Sequence, residues 1–110
     1  MKKALYCVMK NSPTAFEALD ELKQSGFNAT VVNTESLHHA LDYYPEDHHF
    51  FNLRQFERRN EDQESILCIF VGEEDLIQTV KEHIRKTTGN FSYIRGFMYT
   101  QSLEDYEGSI

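Results

Sequence analysis

Ser65-Ile66-Leu67-Cys68-Ile69-Phe70-Val71 is the stretch on which the fold turns. Six apolar residues run without a break between the acidic segment Asn60-Glu61-Asp62-Gln63-Glu64 and Gly72. Successive side chains of a strand point to opposite faces, so a strand with this sequence is apolar on both. Ala4-Leu5-Tyr6-Cys7-Val8-Met9 repeats the pattern near the N-terminus and predicts a strand over 3–9. Gly72 and Met9 mark where the two runs stop.

Each strand is followed by a helical pattern. Ser12 is a natural N-cap and Pro13 suits the first helical position. Ala15, Phe16, Leu19 and Leu22 supply an apolar face, and Gly26 is placed to end the helix. A second helix is predicted over 74–87, with the stripe Leu76, Ile77, Val80 and Ile84. Glu73, Glu74 and Asp75 sit at its positive end, Arg85 and Lys86 at its negative end, and Gly89 just beyond. Strands are expected over 27–34 and 91–100, the latter with Gly96 as a candidate bulge. The order β-α-β-β-α-β predicts an α+β, ferredoxin-like (split βαβ) fold: a four-stranded antiparallel sheet with both helices on one face. The first and third strands then lie in the middle. The face without helices would expose apolar residues of both, which predicts self-association.

Bulk properties narrow the function. The chain has 110 residues, a length that fits one domain over 1–110. The net charge is −7, which disfavours nucleic acid, since counterion release needs clustered Lys and Arg. Cys7 and Cys68 are the two cysteines, each inside an apolar run. They read as reduced, buried thiols, with a disulfide or a reactive thiol as the alternative. The apolar run behind Lys2-Lys3 is too short for a secretory leader or a bilayer span. No membrane insertion is expected, and the protein reads as cytoplasmic. No P-loop, GxSxG or HExxH motif occurs, so no catalytic residue is assigned and an enzyme is not expected.

These elements resemble the PII-like superfamily, which includes the PII nitrogen regulators, the cyclic-di-AMP receptor proteins and the CutA proteins. The resemblance spans about the whole chain. It rests on Gly26-Phe27-Asn28-Ala29-Thr30 after the first helix, on Ile66 to Gly72 followed by Glu73-Glu74-Asp75-Leu76, and on Ser102-Leu103-Glu104-Asp105-Tyr106 after the last strand. It implies a homo-oligomer, a trimer with sheets facing inward, and a small-molecule ligand bound in clefts between subunits. It also implies a regulatory or sensor role without enzymatic activity. The identity of the ligand is not given, because the glycine-rich phosphate-contacting segments of PII proteins have no close counterpart here.

The stretch 35–63 is too long for an ordinary connection and too aromatic for a disordered one. Leu37, Ala40, Leu41 and Tyr44 give a helical spacing that Pro45 would stop, and 50–58 has the pattern of a hairpin arm. Its aromatic side chains Tyr43, Tyr44, Phe50 and Phe51 suit a surface presented to a protein partner. Arg54, Arg58 and Arg59 form an arginine cluster that reads as an anion clamp or as ion pairs to Glu57, Glu61 and Asp62. Arg85, Lys86 and Arg95 form a second cationic group. The expected ligand-binding residues are Thr34, Arg54, Arg58, Arg85 and Arg95. His38, His39, His48 and His49 suggest an alternative, a CutA-like metal-binding protein, since imidazoles with nearby carboxylates suit zinc, copper or nickel.

Overall fold

The computed structural model describes residues 1–34 and 65–109. Its elements are β1 (Lys2–Lys10), α1 (Pro13–Gln24), β2 (Thr30–Thr34), β3 (Ser65–Glu73), α2 (Glu74–Thr88) and β4 (Gly96–Ser102). The strands form one sheet in the order β2-β3-β1-β4, with every neighbouring pair antiparallel. The two doubly apolar strands are the central pair, as expected.

The alternation of β1 and β3 sorts the two faces. Leu5, Cys7 and Met9 lie opposite Phe70, Cys68 and Ile66, and all six are buried. Ala15 and Leu22 of α1 and Ile77, Val80 and Ile84 of α2 close over them to complete the core. Ala4, Tyr6 and Val8 alternate to the other face, opposite Val71, Ile69 and Leu67. The outer strands extend that face with Val32, Phe97 and Tyr99. Both helices lie on the first face, so Phe97 and Tyr99 remain 54% and 53% exposed and Val32 45%. Tyr99 stacks on Tyr6 at 5.0 Å between ring centroids and on Phe97 at 6.2 Å, which makes an aromatic ladder across β1 and β4. Each 100 Å² of such surface covered by a partner contributes roughly 2.5 kcal/mol.

Local chemistry explains the helix ends. Ser12 is extended, with φ −159°, and its Oγ accepts from the Ala15 N–H, while Pro13 opens α1. Gly89 takes the left-handed conformation, φ 61° and ψ 44°, and its N–H donates to the Arg85 carbonyl to end α2. Ion pairs of Met1 and Lys2 with Glu73 and of Lys3 with Glu74 are exposed and stabilise little.

Three boundaries, one expected bulge and one expected core residue differ from the sequence reading. β2 begins at Thr30 rather than Phe27, because Phe27 packs against the core and the Asn28 side chain accepts from the Ala29 N–H. β4 begins at Gly96 rather than Phe91, since Gly89, Asn90 and Phe91 all have positive φ, which no strand permits. Gly72 does not end β3; it pairs with Lys3, and the strand continues to Glu73. Gly96 makes no bulge, since the β1–β4 register runs one to one. It is needed because an added Cβ would collide with the Val8 carbonyl oxygen. Phe16, expected on the buried face of α1, is 53% exposed; Ala15, Ala18 and Leu22 fill that face instead.

Candidate functional site

One end of the sheet gathers chemistry from distant parts of the chain. Lys10, Ser65 and Thr34 close the β1, β3 and β2 ladders in one row. Strands lie about 4.8 Å apart, so Thr34 and Lys10 are about 10 Å from each other across β3. α1 starts at this end, α2 finishes there, and the backbone passes through residues 89–95 before turning into β4. Thr34 and Ser65 flank residues 35–64, and the Thr34 hydroxyl donates to the Ser65 carbonyl at 3.2 Å.

An open recess of about 460 Å³ lies at this end, lined by Lys10, Ser12, Thr14, Tyr93, Ile94 and Arg95. Two of the six side chains are cationic and none is acidic. Among the described residues the ion pairs involve Met1, Lys2 and Lys3, so Lys10 and Arg95 take no part in them. Backbone pairing holds the two together, since the Lys10 N–H donates to the Arg95 carbonyl at 2.9 Å. The Ser12 hydroxyl is committed: it donates to the Lys10 carbonyl at 3.2 Å and accepts from Ala15. The first turn of α1 adds its partial positive charge. A small anion is the ligand class that this arrangement favours. A second recess, of about 500 Å³ at the opposite end, is lined by Gly26, Phe27, Asn28, Ala29, Thr30, Ile69, Val71, Leu76 and Ser109 and has no charged side chain.

Arg95 owes its position to the turn before it. Gly89, Asn90 and Phe91 follow one another at φ 61°, 57° and 64°. A left-handed phenylalanine is strained by about 1–2 kcal/mol. Thr88 holds it there. Its side chain is fully buried, its hydroxyl donates to the Ile84 carbonyl at 2.7 Å, and the same oxygen accepts from the Phe91 N–H at 3.1 Å. The Tyr93 N–H donates to the Thr88 carbonyl at 3.0 Å, and the Ser92 N–H to that of Gly89 at 3.1 Å. Ile94 is then buried in the core, leaving the Arg95 side chain exposed beside Lys10.

The expected site residues separate accordingly. Arg95 lines the recess. Thr34 shares its end of the sheet but lies two strands from Lys10. Arg85 is exposed in the last turn of α2 and does not line the recess. Arg54, Arg58, His38, His39, His48 and His49 lie outside the described residues, as do the helical and hairpin readings of 35–63. Among the described residues no cluster of His, Cys, Asp or Glu is placed to hold a metal ion, and no helix is long and apolar enough to cross a membrane. The sequence reading carries no role for Lys10 or Thr14, and the expected first strand over 3–9 stops short of Lys10, with which β1 ends.

Neither the family models nor the curated proteins contain a match to this chain. Solved structures do. A protein described as functionally unknown from Pediococcus pentosaceus ATCC 25745 superposes with a TM-score of 0.62 at 13% identity, covering 98% of this chain and 97% of that one. CPII from Thiomonas intermedia K12, bound to ADP, AMP and acetate, superposes at 0.53 with 22% identity, over 90% of this chain and 82% of its own. The apo form of CPII, described as a nitrogen regulatory PII-like protein, gives 0.53 at 21% identity, over 91% and 86%. This chain has the PII-like fold. At these identities the likeness extends to the fold alone. Within the PII-like fold, the cationic recess of this chain sits at the end of the sheet where β2 stops and β3 starts.

Proposed function

We propose that the chain is a non-enzymatic PII-like regulatory or sensor subunit that assembles as a homotrimer through the open face of its sheet. It binds a small anionic ligand in a cleft between subunits at the Lys10–Arg95 recess, and it presents residues 35–63 to a protein partner. One observation carries the reading: Lys10 and Arg95 stand together, outside the ion pairs of the described residues, at the end of the sheet from which 35–64 departs. The apolar face formed by Tyr6, Val8, Leu67, Ile69, Phe97 and Tyr99 supports assembly. A structure of the same fold holding ADP and AMP supports a phosphate-bearing ligand. Ligand contacts at the base of a long segment are a recognised means of switching its order.

Calorimetric titration with ADP and with AMP tests the reading. Binding of one of them is expected, weakened about tenfold or more by Arg95→Ala and by Lys10→Ala, as befits lost charge-assisted contacts to phosphate. Absence of binding by both nucleotides, or binding indifferent to both substitutions, would reject this site.

A further inference from the structure

The register of the central strands sets the only two cysteines of the chain side by side. Cys7 of β1 lies directly opposite Cys68 of β3, and both point into the core beneath the helices. Both thiols are free and fully buried. Directly opposed residues of antiparallel strands have Cα atoms about 4.5–5.5 Å apart, within the roughly 4.4–6.8 Å that a disulfide spans. Their Cβ atoms stand about 4.5–5.5 Å apart, so a bond needs an approach of about 1 Å.

We propose that Cys7 and Cys68 are a latent cross-strand disulfide, closed by hydrogen peroxide when the helical layer opens, which then staples β1 to β3. In the first step one thiol, as thiolate, attacks the peroxide oxygen; a sulfenic acid forms and water leaves. In the second, the neighbouring thiolate attacks the sulfenic sulfur and displaces a second water as the S–S bond forms. Two thiols lose two protons and two electrons, and one hydrogen peroxide becomes two waters. Hydrogen peroxide is the fitting oxidant because it transfers a single oxygen atom to sulfur in a packed core.

Burial sets the gate. Desolvation pushes the Cys7 thiol up to about 12, with a further contribution from Cys68, and pushes Cys68 to about 11. Reactive thiolate is therefore scarce in the closed protein at neutral pH, and oxidation proceeds through local opening. Once formed, the bond closes a covalent ring through α1, β2 and residues 35–64. It acts on the two strands between which the core and the open face are divided.

The test uses the purified full-length chain with hydrogen peroxide. The expected product is about 2 Da lighter than the starting chain, and digestion without reductant yields one peptide pair joining Cys7 and Cys68. The melting temperature of the oxidised form is expected to rise by about 5–15 °C and to fall back with dithiothreitol. Adding urea below the unfolding transition should speed the reaction at least several-fold, because it populates the opened state. Oxidation of Met1, Met9 or Met98 adds mass and is thereby distinguished. The proposal is overturned by sulfinic acid at either cysteine, by linkage between chains, by unchanged mass after exposure in urea, or by a lowered melting temperature of the linked form. Cys7→Ala and Cys68→Ala should each abolish the loss of mass and the thermal shift.

Discussion

Thr88→Val removes the hydroxyl that sustains the left-handed turn while nearly preserving volume. Thr88 is fully buried, and its oxygen is both donor to Ile84 and acceptor from Phe91. The donor bond is nearly neutral on removal, because the lost hydroxyl takes its own unsatisfied hydrogen with it. The acceptor is different. The partly buried Phe91 N–H is left without its partner, which costs about 1–3 kcal/mol. Phe91 then holds φ 64° with less support. The expected loss is about 2 kcal/mol, which lowers the urea midpoint by about 1 M for a chain of this size. Urea unfolding at one fixed protein concentration measures it, since assembly makes apparent stability concentration-dependent. Amide hydrogen exchange localises it: the Phe91 N–H should exchange at least tenfold faster in Thr88→Val. In Thr88→Ser it should stay protected, because serine keeps the oxygen and loses a methyl worth about 1 kcal/mol. Equal protection of Phe91 in the valine variant, or an unshifted midpoint, would refute the role assigned to this hydroxyl.

Gly96→Ala drives a Cβ into the Val8 carbonyl and to 3.2 Å from the Met9 Cα, so it should cost about 2–3 kcal/mol in thermal or urea unfolding. Gly26→Ala meets no atom within 4 Å and pays only for its φ of 91°, about 1 kcal/mol, so the two variants should rank in that order. The cysteines predict alkaline sensitivity. Burial makes both thiols ionise later in the folded chain than an ordinary cysteine, near 9, so the unfolded chain releases protons first. Their contribution is intact below about pH 9 and is lost as pH rises toward 11–12, at roughly 1.4 kcal/mol per pH unit per thiol. Urea unfolding between pH 8 and 11 should show a shallower fall for the double variant Cys7→Ala/Cys68→Ala; parallel curves would contradict the burial effect.

The central half of the fold was legible because it is written in short-range pattern. Ile66 to Val71 and Ala4 to Met9 declare two-faced strands without reference to anything else, and Ser12-Pro13 and Gly89 punctuate the helices as their side chains dictate. The misplaced boundaries depend on tertiary context. Nothing in the propensity of Phe91 announces a left-handed backbone; Thr88 and Gly89 impose it from outside, and the strand start moves five residues to Gly96 as a result. Phe27 reads as a strand residue because it is aromatic, whereas the core claims its side chain before the backbone becomes extended. On α1, the spacing of Ala15, Phe16, Leu19 and Leu22 allows Phe16 to face inward, yet Ala15, Ala18 and Leu22 are the residues the helix buries. For the site, Arg95 was legible as an unexplained cation. Its neighbour Lys10 was not, because only the β1–β4 pairing unites residues so far apart in sequence.

Assembly through the open sheet face is the claim on which the intersubunit ligand site depends, and sedimentation at micromolar concentration tests it most directly. The expected species contains three chains of 12.9 kDa each, reduced in size by Tyr99→Glu on the aromatic ladder. A wild-type chain that sediments as a single 12.9 kDa particle would contradict it.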